Sequence, residues 1–229
     1  MDAGLKQRNV PQETEETRER ILSAAQKFFS EKGFEATSVR DITTEAGCNV
    51  ASVNYHFGGK DNLYLETFRS MLTMLRDQRL AVIGELMARD PVPTLEEFLE
   101  SFAEGFIDPL VDESRGRMFT ILVSREMFNP RLPHNVFVDE FIQPLLERAT
   151  VALAEVGPPL DPAAARLCIM SMVGQLLHAI KAHHLFACHD HPEVVPESLA
   201  DYVSHFVRFS AGGIRACAGE AGAAPGDSV

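Results

Sequence analysis

Four polar side chains capable of contacting nucleic acid lie close together at Asn54, Tyr55, His56 and Lys60. An amide can bond to base edges, whereas a phenol, an imidazole and an ammonium group can reach phosphate oxygens. The residues at 50–52 are small or short, and small side chains let a helix enter the major groove of DNA. The sequence therefore predicts a DNA-reading surface, if these residues share one helix and face outward. The alternative is that Tyr55 and His56 pack against the domain and that Lys60 is a solvated charge.

The flanking residues carry the signals that begin and end two short helices. Ser38, followed three residues later by an aspartate, has the spacing of a capping box and predicts a helix that begins near Val39. Gly47 tolerates the left-handed conformation that closes a helix. Asn49 can cap a second helix, which ends at Gly58. Two short helices joined by a tight turn form a helix-turn-helix motif.

The ordered string at 37–60 resembles the N-terminal DNA-binding domain of TetR-family transcriptional regulators, through TSVRDI at 37–42 and NYHF at 54–57. Residues 17–25, with the phenylalanines and the glycine that follow them, are similar to the first helix of that family. The family's recognition helix commonly opens with serine and often has a glycine, where this chain has asparagine and alanine. These mild departures bear on the operator sequence rather than on the fold.

The resemblance implies an all-α fold with an N-terminal three-helix helix-turn-helix domain at 13–60 and a C-terminal helical domain at 61–217. The second domain would bind an effector and hold two subunits together, and residues 1–12 and 218–229 are expected to be disordered tails. Thr17 and Arg18 would then lie near the DNA backbone. The predicted DNA-contacting residues are Thr17, Arg18, Ser38, Arg40, Asn49, Val50, Ala51, Ser52, Asn54, Tyr55, His56 and Lys60.

Composition indicates an intracellular protein with a substantial core. The apolar fraction is 45%, and no stretch approaches the roughly 20 uninterrupted apolar residues that cross a bilayer. We therefore expect a cytoplasmic protein that does not bind a membrane. Cys48, Cys168, Cys188 and Cys217 lack paired spacing, which argues against a disulfide framework or a tetrathiolate zinc site. We expect these cysteines to be reduced and to act as small apolar residues.

The net charge of −12 is unusual for a DNA-binding protein, but the acidic residues are unevenly distributed. Residues 1–60 contain 8 Lys and Arg against 9 Asp and Glu, whereas residues 61–229 contain 13 against 24. Contact with phosphate depends on local rather than total charge, so this balance is compatible with DNA binding. The acidic remainder would repel DNA and so favour one docking orientation.

Beyond Lys60, apolar residues recur at steps of three and four through several helical segments. A capping box at Thr94 and Glu97 predicts the start of one helix, and Pro162 suits the first position of another. Pro144 is expected to bend the helix that contains it. The predicted helices span 61–87, 95–110, 115–128, 135–156, 163–185 and 196–217.

The helix at 163–185 is apolar on nearly all sides, which a domain of this size cannot cover from within its own chain. By the family resemblance, this helix and the last one form a homodimer interface; the alternative is an intrachain core. A two-fold dimer matches a pseudo-palindromic double-stranded DNA operator with half-sites about 34 Å apart. We expect an effector to shift the dimer toward a spacing that no longer fits DNA, through the helix that begins at Asp61.

The C-terminal half is rich in phenylalanine and methionine, which can surround a cavity for a small-molecule effector or can form plain core. Polar residues on these apolar faces would bind the polar groups of the ligand. The segment SREMFNPRLP at 124–133 and the helix that contains Gly174 resemble the CecR-type branch of the family, whose C-terminal half binds small effectors. The candidate effector-binding residues are Phe102, Phe106, Met118, Leu122, Arg125, Phe137, Met170, Gln175 and His178.

The stretch from His183 to His191 offers a different kind of sensor, because it contains four histidines, a cysteine and an aspartate. These side chains suit zinc or a similar cation. Neighbouring ligands in one loop cannot all face one ion, and the helix dipole favours histidines at a helix C-terminus for another reason. We therefore predict neither a metal nor a cofactor. A metal-responsive regulator, or a redox-responsive one that uses Cys48, is the alternative.

Motifs of common enzyme classes are missing from the sequence. It has no glycine-rich phosphate loop, no nucleophile elbow and no helical pair of metal-binding histidines around a glutamate. Catalysis and a purely protein-binding adaptor role are therefore less favoured. The sequence predicts a ligand-responsive DNA-binding transcriptional regulator, namely a homodimeric repressor released from its operator by a small apolar or amphipathic effector.

Overall fold

The computed structural model describes residues 10–111, 121–122, 131–186 and 199–220, and the elements within these ranges are all helical. The described residues form two compact units. The first contains residues 10–72, 121–122 and 131–133, and the second contains residues 73–111, 134–186 and 199–220.

Several predictions fall on residues outside this description. They are most of the helix at 115–128, the candidates Met118 and Arg125, and the side chains of the cluster from His183 to His191.

The first unit contains α1 (Val10–Ala36), α2 (Val39–Glu45), α3 (Val50–Phe57) and the start of α4 (Lys60–Met87). Helix α1 begins inside the segment expected to be a tail. It is kinked at Gly33, whose φ of 77° and ψ of 174° are non-helical. The four helices contribute to one apolar core, formed by Ile21, Ala24, Ala25, Phe29, Ile42, Ala46, Val53, Phe57, Leu63, Tyr64 and Phe68. The all-α fold with an N-terminal helix-turn-helix is thus confirmed.

Thr37, between α1 and α2, is a buried polar residue with 1% of its surface exposed. Its hydroxyl lies 2.7 Å from the carbonyl oxygen of Gly33 and 3.0 Å from that of Phe28, so it can donate to either. Both carbonyls lie near the kink, where regular helical hydrogen bonding is interrupted. Thr37 therefore satisfies backbone acceptors that the end of α1 leaves open, and it fixes where the chain enters α2.

The second unit contains the rest of α4 and six further helical segments within the described residues. These are α5 (Leu95–Val111), α6 (His134–Phe137), a π-helical turn (Val138–Ile142), α7 (Gln143–Val156), α8 (Pro162–Phe186) and α9 (Leu199–Glu220). Helix α9 packs against α5 and α8, and α8 also packs against α5 and α7. The core of this unit includes Leu86, Leu95, Phe98, Leu99, Ala103, Phe106, Ile107, Phe141, Leu153, Ile169, Met172, Leu176, Val203 and Phe206.

The helix predicted at 135–156 is interrupted just before Pro144 rather than at it. Residues Val138–Ile142 form a π-helical turn, and Pro144 lies in the first turn of α7. Proline has no N–H to donate to the carbonyl four residues earlier, which is that of Glu140, and its ring crowds that carbonyl. The Glu140 carbonyl accepts a hydrogen bond of 2.8 Å from Nη1 of Arg76 instead. A side chain from α4 thus replaces part of the bonding that proline removes.

Two other helix starts follow the sequence signals closely. At the start of α5, the Thr94 N–H donates to the Glu97 carboxylate at 2.7 Å, and the Glu97 N–H donates to the Thr94 hydroxyl at 3.2 Å. This reciprocal pair is the predicted capping box. At the start of α8, one oxygen of Asp161 accepts from the N–H groups of Ala163 and Ala164. Both starts lie where the sequence predicts them.

Helix α8 is apolar over most of its length. Its segment Pro162–Ile180 is long and apolar enough to cross a membrane by length and composition alone, and only 28% of it is buried in this chain. A helix that is covered by another protein subunit has the same composition. Helix α9, which packs against α8, continues to Glu220. It therefore enters the segment expected to be a disordered tail.

Cys168 of α8 and Cys217 of α9 are neighbours, although their sequence spacing gives no sign of a pair. Both are free thiols. Burial, followed by the charge of Cys217 and a hydrogen bond with it, raises the pKa of the Cys168 thiol. A raised pKa leaves little thiolate at neutral pH, and the thiolate is the reactive form. Cys168 therefore has the character expected of a small apolar residue, whereas Cys217 is exposed.

We expect Thr37→Val to lower the free energy of unfolding by about 1–3 kcal/mol, because it leaves a buried carbonyl without a donor. The valine keeps the shape of the side chain, so packing changes little. Urea denaturation followed by circular dichroism measures the loss. Thr44→Val is the matched control, since the exposed Thr44 hydroxyl donates to a carbonyl within α2; its effect should stay within about 0.5 kcal/mol. Equal losses in the two variants would contradict the role assigned to Thr37.

Candidate nucleic-acid interface

Helices α2 and α3 are held against the first unit by a few apolar side chains. Ile42 and Val53 are fully buried, and Ala46 and Phe57 are 5% and 4% exposed. Gly47, in the turn between the helices, has a φ of 63°, which favours glycine. These residues fix the angle at which α3 is presented.

Both helices begin with the side-chain caps that the sequence predicts. The Ser38 hydroxyl accepts from the Asp41 N–H at 3.0 Å, and the Asn49 side-chain oxygen accepts from the Ser52 N–H at 3.0 Å. Gly58 ends α3 in the left-handed conformation, with a φ of 72°. The predicted starts of α2 and α3, and the predicted end of α3, are therefore confirmed.

The outward face of α3 consists of the predicted contact residues. Tyr55 is 79% exposed and Val50 is 49% exposed, and Ala51 and Asn54 are also exposed. Val53 occupies the opposite, buried side of the same helix. One helix therefore offers an amide, a phenol and two small apolar side chains to a partner, which is a combination suited to a DNA groove.

Two of the predicted contact residues have part of their polar capacity in use. The Ser52 hydroxyl lies 3.2 Å from the Asn49 side-chain oxygen and donates to it, so the cap holds that proton. The hydroxyl can still accept a hydrogen bond from a base or a phosphate. His56 is half-buried, and its ring meets that of Tyr55 edge to face at a centroid distance of 5.0 Å. His56 thus supports the orientation of Tyr55.

Lys60 opens α4 and lies over an aromatic ring. Its ammonium nitrogen is 4.2 Å from the ring centroid of Phe34, and the guanidinium carbon of Arg131 is 4.4 Å from the same centroid. Arg131 also forms an ion pair with Glu35. A cation–π contact orients an ammonium group without neutralising it. The structure therefore places two cations together on Phe34, at the residue after the kink of α1.

Thr17 and Arg18 of α1 make contacts within the first unit. Nη2 of Arg18 is 3.2 Å from a carboxylate oxygen of Glu66, and its guanidinium lies 5.4 Å from the ring centroid of Phe57. Arg18 thus contacts side chains of both α3 and α4, which holds α3 against its neighbours. The Thr17 hydroxyl accepts from Arg20 at 3.2 Å.

The acidic residues of α2 are balanced by lysines from α1. Lys27 pairs with Glu45 at 2.7 Å, and Lys32 pairs with Asp41 at 3.9 Å. The hydrogen bond and then the charge of Glu45 raise the pKa of Lys27. Arg40 is exposed and has no ion-pair partner within the described part of the chain. Its positive charge is therefore available to an external anion.

The candidate effector residues are only partly brought together. Phe102 and Phe106 stack on α5 at a centroid distance of 6.4 Å, and Phe137 lies 5.7 Å from Phe141, a ring that contacts Arg79. Leu122 is buried but belongs to the first unit.

The candidates on α8 have a different environment. Met170 is 60% exposed, His178 is exposed, and the Gln175 amide lies 3.5 Å from the Ser171 carbonyl of its own helix. None of these three side chains therefore joins the aromatic cluster in the described structure.

Sequence reasoning missed Arg79, which lies on the buried face of α4 with 9% of its surface exposed. Burial lowers its pKa to about 9, so it stays protonated at neutral pH. The sequence does contain a signal for this burial: the four-residue spacing of Leu75, Arg79 and Ile83 places Arg79 on one helix face with two apolar residues. Both of those residues are buried. The apolar periodicity of the sequence passes through Leu80 instead, which is only half-buried.

Two sequence families match the chain. Residues 21–67 match the bacterial regulatory proteins of the tetR family. Residues 95–214 match the C-terminal domain of the HTH-type transcriptional dual regulator CecR. The first match contains the whole helix-turn-helix, and the second covers α5 to most of α9.

Curated relatives are HTH-type transcriptional regulators. CecR of Shigella flexneri is 26% identical over 145 residues, which is 61% of this chain and 64% of that protein. LmrA of Bacillus subtilis is 35% identical over 92 residues, which is 40% of this chain and 48% of that protein. The chain thus aligns with between about half and two thirds of the length of these relatives.

Solved structures of similar fold cover most of the chain. A TetR-family transcriptional regulator from Streptomyces coelicolor is 26% identical with a TM-score of 0.62, over 89% of this chain and 97% of that one. A TetR transcriptional regulator from Legionella pneumophila is 18% identical with a TM-score of 0.59, over 86% and 97%. The second likeness concerns the fold alone.

We expect Asn49→Ala to destabilise α3 by about 1 kcal/mol, because the Ser52 N–H loses its side-chain acceptor. Asn49→Asp keeps the acceptor and should retain the cap. Hydrogen exchange measured on the amides of α3 separates the two variants: exchange at Ser52 should accelerate in the alanine variant only. Unchanged protection of α3 in Asn49→Ala would show that the cap does not hold this helix.

Proposed function

This chain belongs to the TetR family of bacterial regulatory proteins, with a C-terminal domain of the CecR type, and we propose that it is a homodimeric repressor released from its operator by a small effector. As a family member it is a DNA-binding transcriptional regulator. In the proposal, residues 13–60 contact operator DNA in the cytoplasm, and residues 61–217 bind the effector and form the dimer. The proposal is carried by α3, whose caps and buried residues leave a small and polar face exposed.

The roles proposed on DNA follow from exposure and chemistry. Asn54 is exposed and can form two hydrogen bonds with the edge of an adenine in the major groove. Tyr55 is largely exposed and can donate its hydroxyl proton to a phosphate. Lys60 and Arg40 carry charges that no carboxylate pairs with in the described residues, and they would contact phosphates on either side. Arg18 acts chiefly by holding α3 in place.

Asn54→Ala and Lys60→Met should both weaken operator binding, but only the loss in Asn54→Ala should depend on the DNA sequence. Asn54→Ala removes base contacts, so we expect a loss of about 1–3 kcal/mol for the operator and little change for unrelated duplexes. Lys60→Met removes a phosphate contact, so affinity should fall for all sequences and the salt slope should decrease by about 0.9. Fluorescence anisotropy with an operator selected from random duplexes, at several salt concentrations, measures both effects.

Arg89→Met is the control for this experiment, since it removes one positive charge from an exposed position in the second unit. It should leave both affinity and salt slope close to those of the wild-type protein. A Lys60→Met variant with the wild-type salt slope would contradict the phosphate role of Lys60. An Asn54→Ala variant that weakened all duplexes equally would contradict base reading by Asn54.

Helices α8 and α9 pack against each other. The proposed homodimer rests on the apolar side chains that these two helices leave exposed. Leu167 and Met170 of α8 are 65% and 60% exposed, and Phe209 of α9 is 61% exposed. At Gly174 and Gly212, a methyl group in place of the hydrogen would meet no atom within 4 Å. Large apolar residues and open backbone on the same two helices favour a second protein surface against them.

We expect Leu167→Glu to dissociate the dimer, because a two-fold interface would bury this residue twice, and burial of one leucine contributes about 1.5–3 kcal/mol. The dimer dissociation constant should rise at least about tenfold. Analytical ultracentrifugation measures it, and operator affinity should fall in parallel. Val92→Glu is matched for exposure, at 63%, and should leave the dimer intact. A Leu167→Glu protein that remained dimeric would contradict this interface.

The proposed effector site lies in the second unit, where α5, α6 and the π-helical turn provide Phe102, Phe106, Phe137 and Phe141. An effector that separates or reorients these rings would bias α4, since Arg79 of α4 lies against two of them. Helix α4 also begins with Lys60, beside the recognition helix. We propose α4 as the element through which effector binding changes the population of DNA-competent dimers.

A further inference from the structure

Arg79 has the donors of an arginine but few partners for them. Its Nη2 lies 3.4 Å from the Phe106 carbonyl oxygen, which is a long hydrogen bond, and its Nε has no hydrogen-bond partner. No carboxylate pairs with it within the part of the chain that the structure describes. A guanidinium has five N–H donors, so most of its capacity is unused. The second unit thus holds a buried cation without a matching anion.

Aromatic rings surround the Arg79 guanidinium. Its central carbon is 3.7 Å from the ring centroid of Phe106 and 5.7 Å from that of Phe141. Cation–π contacts of this kind orient a guanidinium, but they offset only part of the cost of removing a charge from water. A methionine would fill the same position without that cost. The presence of an arginine therefore calls for a charge partner, which the described residues of this chain do not supply.

We propose that Arg79 is the anion-binding residue of the effector site, and that the effector is an amphipathic carboxylate. The Nε–H and a terminal N–H of a guanidinium lie side by side and match the two oxygens of a carboxylate. The apolar body of the ligand would lie on the rings of Phe106 and Phe141 and on their neighbours Phe102 and Phe137. This inference rests on the proposed function, because it assigns a chemical class to the effector of the same regulator.

A pair of fluorescent probes tests the inference on the full-length protein. Anilinonaphthalenesulfonate is an aromatic anion, and phenylnaphthylamine has the same ring system without the anionic group. The wild-type protein should bind the anionic probe at least about tenfold more tightly than the neutral one, as expected for a charge-assisted pair in an apolar site. Decanoate should displace the anionic probe at lower concentration than decanol does.

Arg79→Met should remove the preference for the anion while leaving binding of the neutral probe unchanged or tighter. Its melting temperature should rise, because an unpaired buried charge is replaced by an apolar side chain of similar length. Arg89→Met removes an exposed charge and should keep the wild-type preference. An Arg79→Met protein that retained the preference, or a wild-type protein without one, would overturn the proposal. A lowered melting temperature with unchanged probe binding would assign Arg79 to the support of the fold instead.

Operator binding by the same proteins separates this inference from the proposed function. If the wild-type protein binds its operator but shows no preference for the anionic probe, the inference about Arg79 fails alone. If the preference depends on Arg79 and the anion leaves operator binding unchanged, the anion site stands and the proposed release by an effector fails. Release of the operator by decanoate in the wild-type protein, and not in Arg79→Met, supports both.

Discussion

The first unit depends on one constraint: a helix of eight residues must be held firmly while most of its surface remains exposed. A helix this short is not stable alone, because nucleation is costly and few hydrogen bonds follow it. Two buried side chains, Val53 and Phe57, and a cap at each end hold α3 in place. Helices α1 and α4 provide the core that receives those side chains. The outward face of α3 is therefore free to vary with the DNA sequence without loss of the fold.

The parts of the structure that depend on local chemistry could be predicted from the sequence. Ser38, Asn49 and Thr94 act as caps because their side chains bond to backbone groups three residues away, and that distance is fixed by the helix itself. Gly47 and Gly58 end helices for a reason that is equally local. The amino-acid sequence alone therefore predicts these helix starts and the recognition surface of α3.

Contacts between residues far apart in the sequence could not be predicted in this way. Arg18 pairs with Glu66, 48 residues away, and Lys60 lies over Phe34. No periodicity specifies such partners, because they depend on how helices pack. The π-helical turn before Pro144 is similar: proline predicts an interruption, but not that the turn lies before it, where Arg76 of α4 donates to the Glu140 carbonyl. Arg79 breaks an otherwise apolar stripe, and only its burial shows that the break matters.

Each unit places a cation against phenylalanine, and exposure separates the two roles that we propose for these cations. Lys60 is half-buried over Phe34, so water still reaches its ammonium group and phosphate can bind it at the surface. The Arg79 guanidinium has lost nearly all of its hydration on folding. An anion that reaches it must lose its own hydration, and a small hydrophilic anion gains nothing else in return. An anion with an apolar body also buries that body against the rings, which offsets the cost. We therefore expect a buried arginine among aromatic rings to select amphipathic anions over phosphate or chloride.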